Sequence, residues 1–86
     1  MRDTPYAKEI KRAILSFPDN TECRIEKLEI KETGNEEIRF SWWKNNNIVP
    51  RPLDIREEDL LQLFKNAIQE EVFSPKFLNG LKELLE

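Results

Sequence analysis

Residues 36–44, Glu-Glu-Ile-Arg-Phe-Ser-Trp-Trp-Lys, constrain the fold more than any other stretch. Ile38, Phe40 and Trp42 alternate with Arg39, Ser41 and Trp43 at a period of two, which sends successive side chains to opposite faces of a strand. One face is apolar and must be covered, while the other ends in a second tryptophan. Such a strand needs a neighbour, and residues 22–32 supply one across Thr33-Gly34-Asn35. A three-residue loop, 33–35, pairs Ile30 with Ile38 and Leu28 with Phe40. A two-residue loop would set Lys31 and Glu29 against those positions. Asn35 is then expected in the left-handed conformation. Cys23 and Ile25 run out of phase with Leu28 and Ile30, which predicts a bulge near Glu26-Lys27.

The flanking segments read as helices. Thr4 as N-cap and Pro5 at the first helical position open a stripe of Tyr6, Ile10, Ala13, Ile14 and Phe17 opposite Lys8, Glu9, Lys11 and Arg12. Pro18-Asp19-Asn20 closes it, so a helix is predicted over about 5–17. After Asn45-Asn46-Asn47, the stretch Ile48-Val49-Pro50-Arg51-Pro52-Leu53 is extended, as a third strand or a polyproline-like arm. Pro50 and Pro52 lose their donors along one edge, so that edge faces solvent. Asp54 and Glu57 have capping-box spacing, and Glu57-Glu58-Asp59 complement the dipole of a helix reaching about residue 70. Its inward stripe is Leu60, Leu63, Phe64, Ala67 and Ile68. Ser74-Pro75 starts another helix with Phe77, Leu78, Leu81, Leu84 and Leu85 on its apolar side. Gly80 within it costs about 1 kcal/mol relative to Ala, and a close backbone contact is expected there. The sum is an α+β fold: a helix, a two- or three-stranded antiparallel meander, and two C-terminal helices packed on one sheet face. Truncating Phe40 or Phe64 in that core is expected to cost about 3–5 kcal/mol.

At 86 residues the chain has room for one domain, taken as 1–86. It carries 14 Lys plus Arg against 17 Asp plus Glu, with no histidine and one cysteine. Without histidine there is no imidazole base, Ser-His or Cys-His pair, or histidine metal ligand. Gly34 and Gly80 are the only glycines, so phosphate-cradling loops are absent. No cofactor, metal or catalytic residue is expected. The pairs Glu36-Glu37, Glu57-Glu58-Asp59 and Glu70-Glu71 leave a carboxylate enzyme as the last-ranked alternative, because adjacent helical positions diverge by about 100°. A lone Cys23 cannot form an internal disulfide and reads as a small core or boundary residue. No apolar run approaches membrane-span length, and Met1-Arg2-Asp3-Thr4-Pro5 does not open a signal-peptide pattern. A cytoplasmic protein without a membrane role is expected.

Two binding classes remain. The stretch 39–56 holds Arg39, Lys44, Arg51 and Arg56 against Asp54 alone, together with Trp42, Trp43 and three asparagines. Cations contact phosphate, and aromatics stack on bases. The helix–strands–helix order resembles the outline of the double-stranded RNA-binding fold. That resemblance implies a basic start to the final helix, whereas this chain has Glu57-Glu58-Asp59, which repels phosphate. A weak nucleic-acid binder is therefore the alternative. The leading expectation is a small noncatalytic protein-interaction or regulatory module with an unidentified protein partner. Its expected contact surface is Arg39, Trp43, Lys44, Asn46, Pro50, Arg51 and Pro52. Trp43 supplies apolar contact, the cations orientation, and the asparagine groups adaptable hydrogen bonds. The competing reading, which weighs somewhat more for Trp43 itself, folds its ring onto Val49 or Ile48 with Arg39 stacked over it. The richness of the last helix also suggests a homodimer through Phe73, Phe77, Leu81 and Leu84.

Overall fold

A computed structural model of the chain describes residues 2–86. Four strands, β1 (Ala7–Ser16), β2 (Thr21–Ile30), β3 (Glu36–Lys44) and β4 (Asn47–Ile48), form an antiparallel sheet in the order β1-β2-β3-β4. Two helices follow, α1 (Glu57–Gln69) and α2 (Pro75–Leu85). The α+β class holds, but the chain opens with a strand and not with the helix expected over 5–17. Those residues satisfy two periods at once. Ala13, Leu15 and Phe17 also alternate, and they pack with Cys23 and Ile25 in the main core. Tertiary context decides between the two periods. β2 buries residues on both faces and lies between two hydrogen-bonded neighbours, β1 on one edge and β3 on the other.

The phase break in β2 has the same origin. Cys23 and Ile25 face α1, while Leu28 and Ile30 face the opposite side, where they cluster with Ala7. No bulge occurs at Glu26-Lys27. The irregularity lies in β1 between Glu9 and Lys11, and the extra residue Ile10 moves Glu9 to the far face. The register also differs from expectation. Ile25 pairs with Phe40, Cys23 with Trp42, and Leu28 with Glu37, not with Phe40. The β2–β3 loop spans 31–35, and Gly34 (φ 75°), not Asn35, takes the left-handed position. Its N–H donates to the Ile30 carbonyl at 2.7 Å.

Asn45 and Asn46, at φ 50° and 67°, make the two-residue turn into β4, a conformation that asparagine tolerates. Trp43 then pairs with Ile48 and Lys44 with Asn47. β4, expected as a third strand over 48–53, is only two residues long, because the prolines that follow cannot continue a ladder. Leu53 and Ile55 pack back against the core. The N-cap of α1 is Arg56, which makes no side-chain cap, so the Asp54–Glu57 box is not formed. Arg56 Nε instead lies 3.5 Å from Asp59 Oδ2.

α1 packs across β1 and β2 and buries Leu63 and Ala67 completely. Asn66 Nδ2 donates to the Ile14 carbonyl at 2.9 Å and pins the helix to the outer edge of β1. Val72 and Phe73, beyond Glu71 at φ 56°, are buried. Ser74 caps α2 as expected, its Oγ accepting the Phe77 N–H at 3.1 Å. α2 reaches the core through Phe77, whose ring is tilted against Phe73, and through Leu78, but buries no residue fully. Gly80 has open space around it, so the expected close contact is not there. No described helix is long and apolar enough to cross a membrane.

Candidate interaction surface

Because α1 covers β1 and β2, the α1-side face of β3 is left half open. Ile38 and Phe40, expected in the core, are 41% and 46% exposed. Phe40 begins a run of rings leading away from the sheet. Its centroid lies 6.4 Å from Phe64, which lies 5.3 Å from Phe73, which lies 4.9 Å from Phe77. A hollow of about 230 Å³ lies between β3 and α2, lined by Ile38, Phe73 and Phe77 among others. A separate, wider apolar groove of about 680 Å³ lies between α1 and α2, lined by Leu61, Phe64, Ile68, Leu81 and Leu85 among others.

The backbone of β3 is open beside this strip. In an antiparallel ladder, each residue's N–H and C=O point to the same side, alternating along the strand. The Trp42 carbonyl accepts from Val49 N–H at 2.9 Å, on the side away from β2. Glu36, Ile38 and Phe40 share that sense. β4 reaches only Trp43 and Lys44, and among the described residues nothing bonds to the outward groups of Glu36, Ile38 and Phe40. The Pro50–Pro52 segment, expected to flank this strand, adds no pair to its ladder.

The far face of the sheet carries a closed polar network. Trp43 Nε1 donates to Ser41 Oγ at 3.1 Å, and Ser41 Oγ donates to Glu26 Oε1 at 2.8 Å. Arg39 Nε donates to the same oxygen at 3.2 Å. Glu9 Oε2 accepts from the Arg2 backbone N–H at 3.1 Å. The other oxygens, Glu9 Oε1 and Glu26 Oε2, are buried with no other donor, and the two carboxyls lie within hydrogen-bond reach of each other. Trp43, 8% exposed, is stacked under Arg24 and Arg2, whose Cζ atoms lie 4.0 and 5.1 Å from the ring.

Burial pushes the Glu9 carboxyl above its ordinary 4.5, and the Glu26 hydrogen bond adds to this. Burial pushes Glu26 up as well, but hydrogen bonds from Glu9, Arg39 and Ser41 outweigh it and hold Glu26 below its ordinary value. Of the two, Glu9 is the more readily protonated and Glu26 the more readily ionised. A raised folded pKa gives stability that is full below the unfolded pKa and lost as pH rises through the folded one. A depressed folded pKa gives stability present above the unfolded pKa and lost as pH falls through the folded one. Glu9 thus weakens the fold on the alkaline side of its ordinary value, and Glu26 on the acid side. Glu9→Gln, whose amide donates to Glu26 at every pH, is expected to remove the alkaline-side loss. Urea midpoints from mildly acidic to neutral pH test this; identical slopes in wild type and variant would contradict it.

The residues expected to form one contact surface are dispersed. Arg39 and Trp43 belong to the far-face network. Lys44 and Asn46 sit at the exposed β3–β4 turn. Pro50, Arg51 and Pro52 are exposed at the opposite face, with the Arg51 guanidinium 5.3 Å from the Trp42 ring. Of the four expected dimer residues, Phe73 is buried and Leu81 is half-buried, while Phe77 and Leu84 are exposed. Cys23 is a core residue, as read from the sequence. Burial and then the Asp59 charge push its thiol pKa up, away from nucleophilic use. Among the described residues no group of three or more His, Cys, Asp or Glu could hold a metal ion. Sequence reasoning missed Ile38 and Phe40 as surface residues. The available signal was that Pro50 and Pro52, two residues apart, end β4 early and leave the β3 edge bare. No protein-family model, curated protein or solved structure matches the chain.

Proposed function

We propose that the chain is a small noncatalytic protein-interaction module whose contact surface is the open edge of β3 and the apolar strip beside it. One observation carries this reading: unpaired N–H and C=O groups at Glu36, Ile38 and Phe40 lie next to half-exposed Ile38 and Phe40 side chains. Edge strands are normally shortened, covered or blocked by proline, and an uncovered one beside an apolar groove is suited to strand addition. Phosphate recognition is less well supported, because the cations of residues 39–56 are split between two faces and Arg39 is engaged by Glu26. The Glu9–Glu26 pair, at 2% and 0% exposure, offers a substrate no entry, which favours a structural use of its carboxyls. The buried reduced thiol fits a cytoplasmic setting.

Phe40→Glu tests the reading. Phe40 is half exposed, so the variant should fold with an unchanged circular dichroism spectrum and lose no more than about 1 kcal/mol. Partners retained by immobilised wild type should be lost from the variant. Retention of the same partners by both proteins would contradict the proposed surface.

A further inference from the structure

The open edge has a register that matches itself, and we infer that β3 pairs with β3 of a second copy, antiparallel, with the two-fold axis at Ile38. The inference rests on the interaction surface proposed above. Outward-facing residues must meet outward-facing residues in such a pair, which leaves few registers. An axis at Glu37 or at Arg39 sets like charges directly opposite each other, which is destabilising. An axis at Phe40 brings Ile38 against Trp42, whose outward carbonyl is already taken by Val49. An axis at Ile38 avoids both problems. Ile38 then faces its own copy, Glu36 faces Phe40 twice, and each of these pairs exchanges both backbone hydrogen bonds.

Charge agrees with that register. On the far face it sets Glu37 of each copy opposite Arg39 of the other. Lys27 lies 4.0 Å from Glu36, and Glu37 is exposed with no ion-pair partner among the described residues. Arg39 uses Nε on Glu26 and keeps its terminal nitrogens free of hydrogen bonds among the described residues. Each copy therefore presents one unpaired carboxylate and one half-used guanidinium at complementary positions. The axis is perpendicular to the sheet, so the apolar strips of both copies lie on the same side. Ile38 and Phe40 of the two chains adjoin there and cover one another. The interface is isologous and closes at two subunits. In place of the helix-centred dimer of Phe73, Phe77, Leu81 and Leu84, the contact is centred on β3.

Disulfide trapping tests the register and sedimentation equilibrium the association. Opposed residues of a hydrogen-bonded pair have Cα atoms about 5.5 Å apart, within disulfide reach. Ile38→Cys should therefore form an interchain disulfide under mild oxidation, and Phe40→Cys should not, because Glu36 lies opposite it. Native Cys23 is buried and does not compete. Wild type should dimerise between micromolar and millimolar concentration. Glu37→Lys should raise the dissociation constant on the order of tenfold or more while keeping its urea midpoint. Wild type monomeric at millimolar concentration would overturn the inference, as would crosslinking by Leu61→Cys or Leu84→Cys in place of Ile38→Cys. A monomer that still captures a partner through Phe40 removes only the second copy as occupant. A monomer that captures nothing removes the contact surface as well.

Discussion

Leu63→Ala is expected to lower the free energy of unfolding by about 3–4 kcal/mol. Leu63 has no exposed surface and lies where α1 meets Ala13 of β1 and Ile25 of β2. Small alanines on both sides, Ala13 and Ala67, let the helix approach closely, so the neighbourhood has little side chain with which to collapse into a cavity. Typical stabilities are about 0.05–0.15 kcal/mol per residue, or about 4–13 kcal/mol for a chain of this length. The loss is therefore a large share of the total, and the melting temperature should fall by about 12–32 °C. Leu61→Ala, on the exposed side of the same helix, should change stability by less than about 0.5 kcal/mol. Urea denaturation of both variants checks the orientation of α1. Similar costs at the two positions would contradict it.

Trp43→Ala is expected to cost about 3–5 kcal/mol. The side chain is nearly buried, with the Arg24 and Arg2 guanidiniums over its ring, and its loss uncovers the network behind it. Ser41 Oγ loses a donor, the two guanidiniums lose the ring they pack on, and water gains access to Glu26. The variant should unfold at much lower urea concentration than Phe40→Glu, although both positions lie on β3 and both carry an aromatic ring. The contrast separates a packing tryptophan from a contact phenylalanine. A well-folded Trp43→Ala that fails to bind a partner would reverse the two assignments.

Much of the fold is legible in the sequence where one period or one cap is unambiguous. Strand β3 follows from Ile38, Phe40 and Trp42, and the start of α2 from Ser74-Pro75. The helical stripe of Leu63 and Ala67 is equally clear. β1 is misread because alanine and isoleucine positions over 6–17 fit both a helix and a strand, and only the unmet demand of β2 for a second neighbour decides. Leu28 and Ile30 break phase with Ile25 because β2 feeds two clusters, one on each face of the sheet, which a sheet covered on one side only does not anticipate. Arg56 in place of Asp54 at the α1 cap reflects the path of Leu53 and Ile55 into the core, which delays the helix by two residues. The contact surface is less legible. An open edge is a property of what fails to pair, and the length of β4 is set by Asn45-Asn46 and Pro50 acting together. Partial exposure of Phe40 follows from the lateral position of α1, which its own sequence does not encode.

Residue-resolved amide exchange across β3 tests the account most directly. In the dilute monomer, the amides of Glu37, Arg39 and Ser41, directed at β2, should be protected. Those of Glu36, Ile38 and Phe40 should exchange at nearly unprotected rates. Raising the protein concentration should protect Glu36, Ile38 and Phe40 together. Protection of all six in the dilute monomer would contradict the open edge, and so would self-association that leaves those three amides exchanging freely.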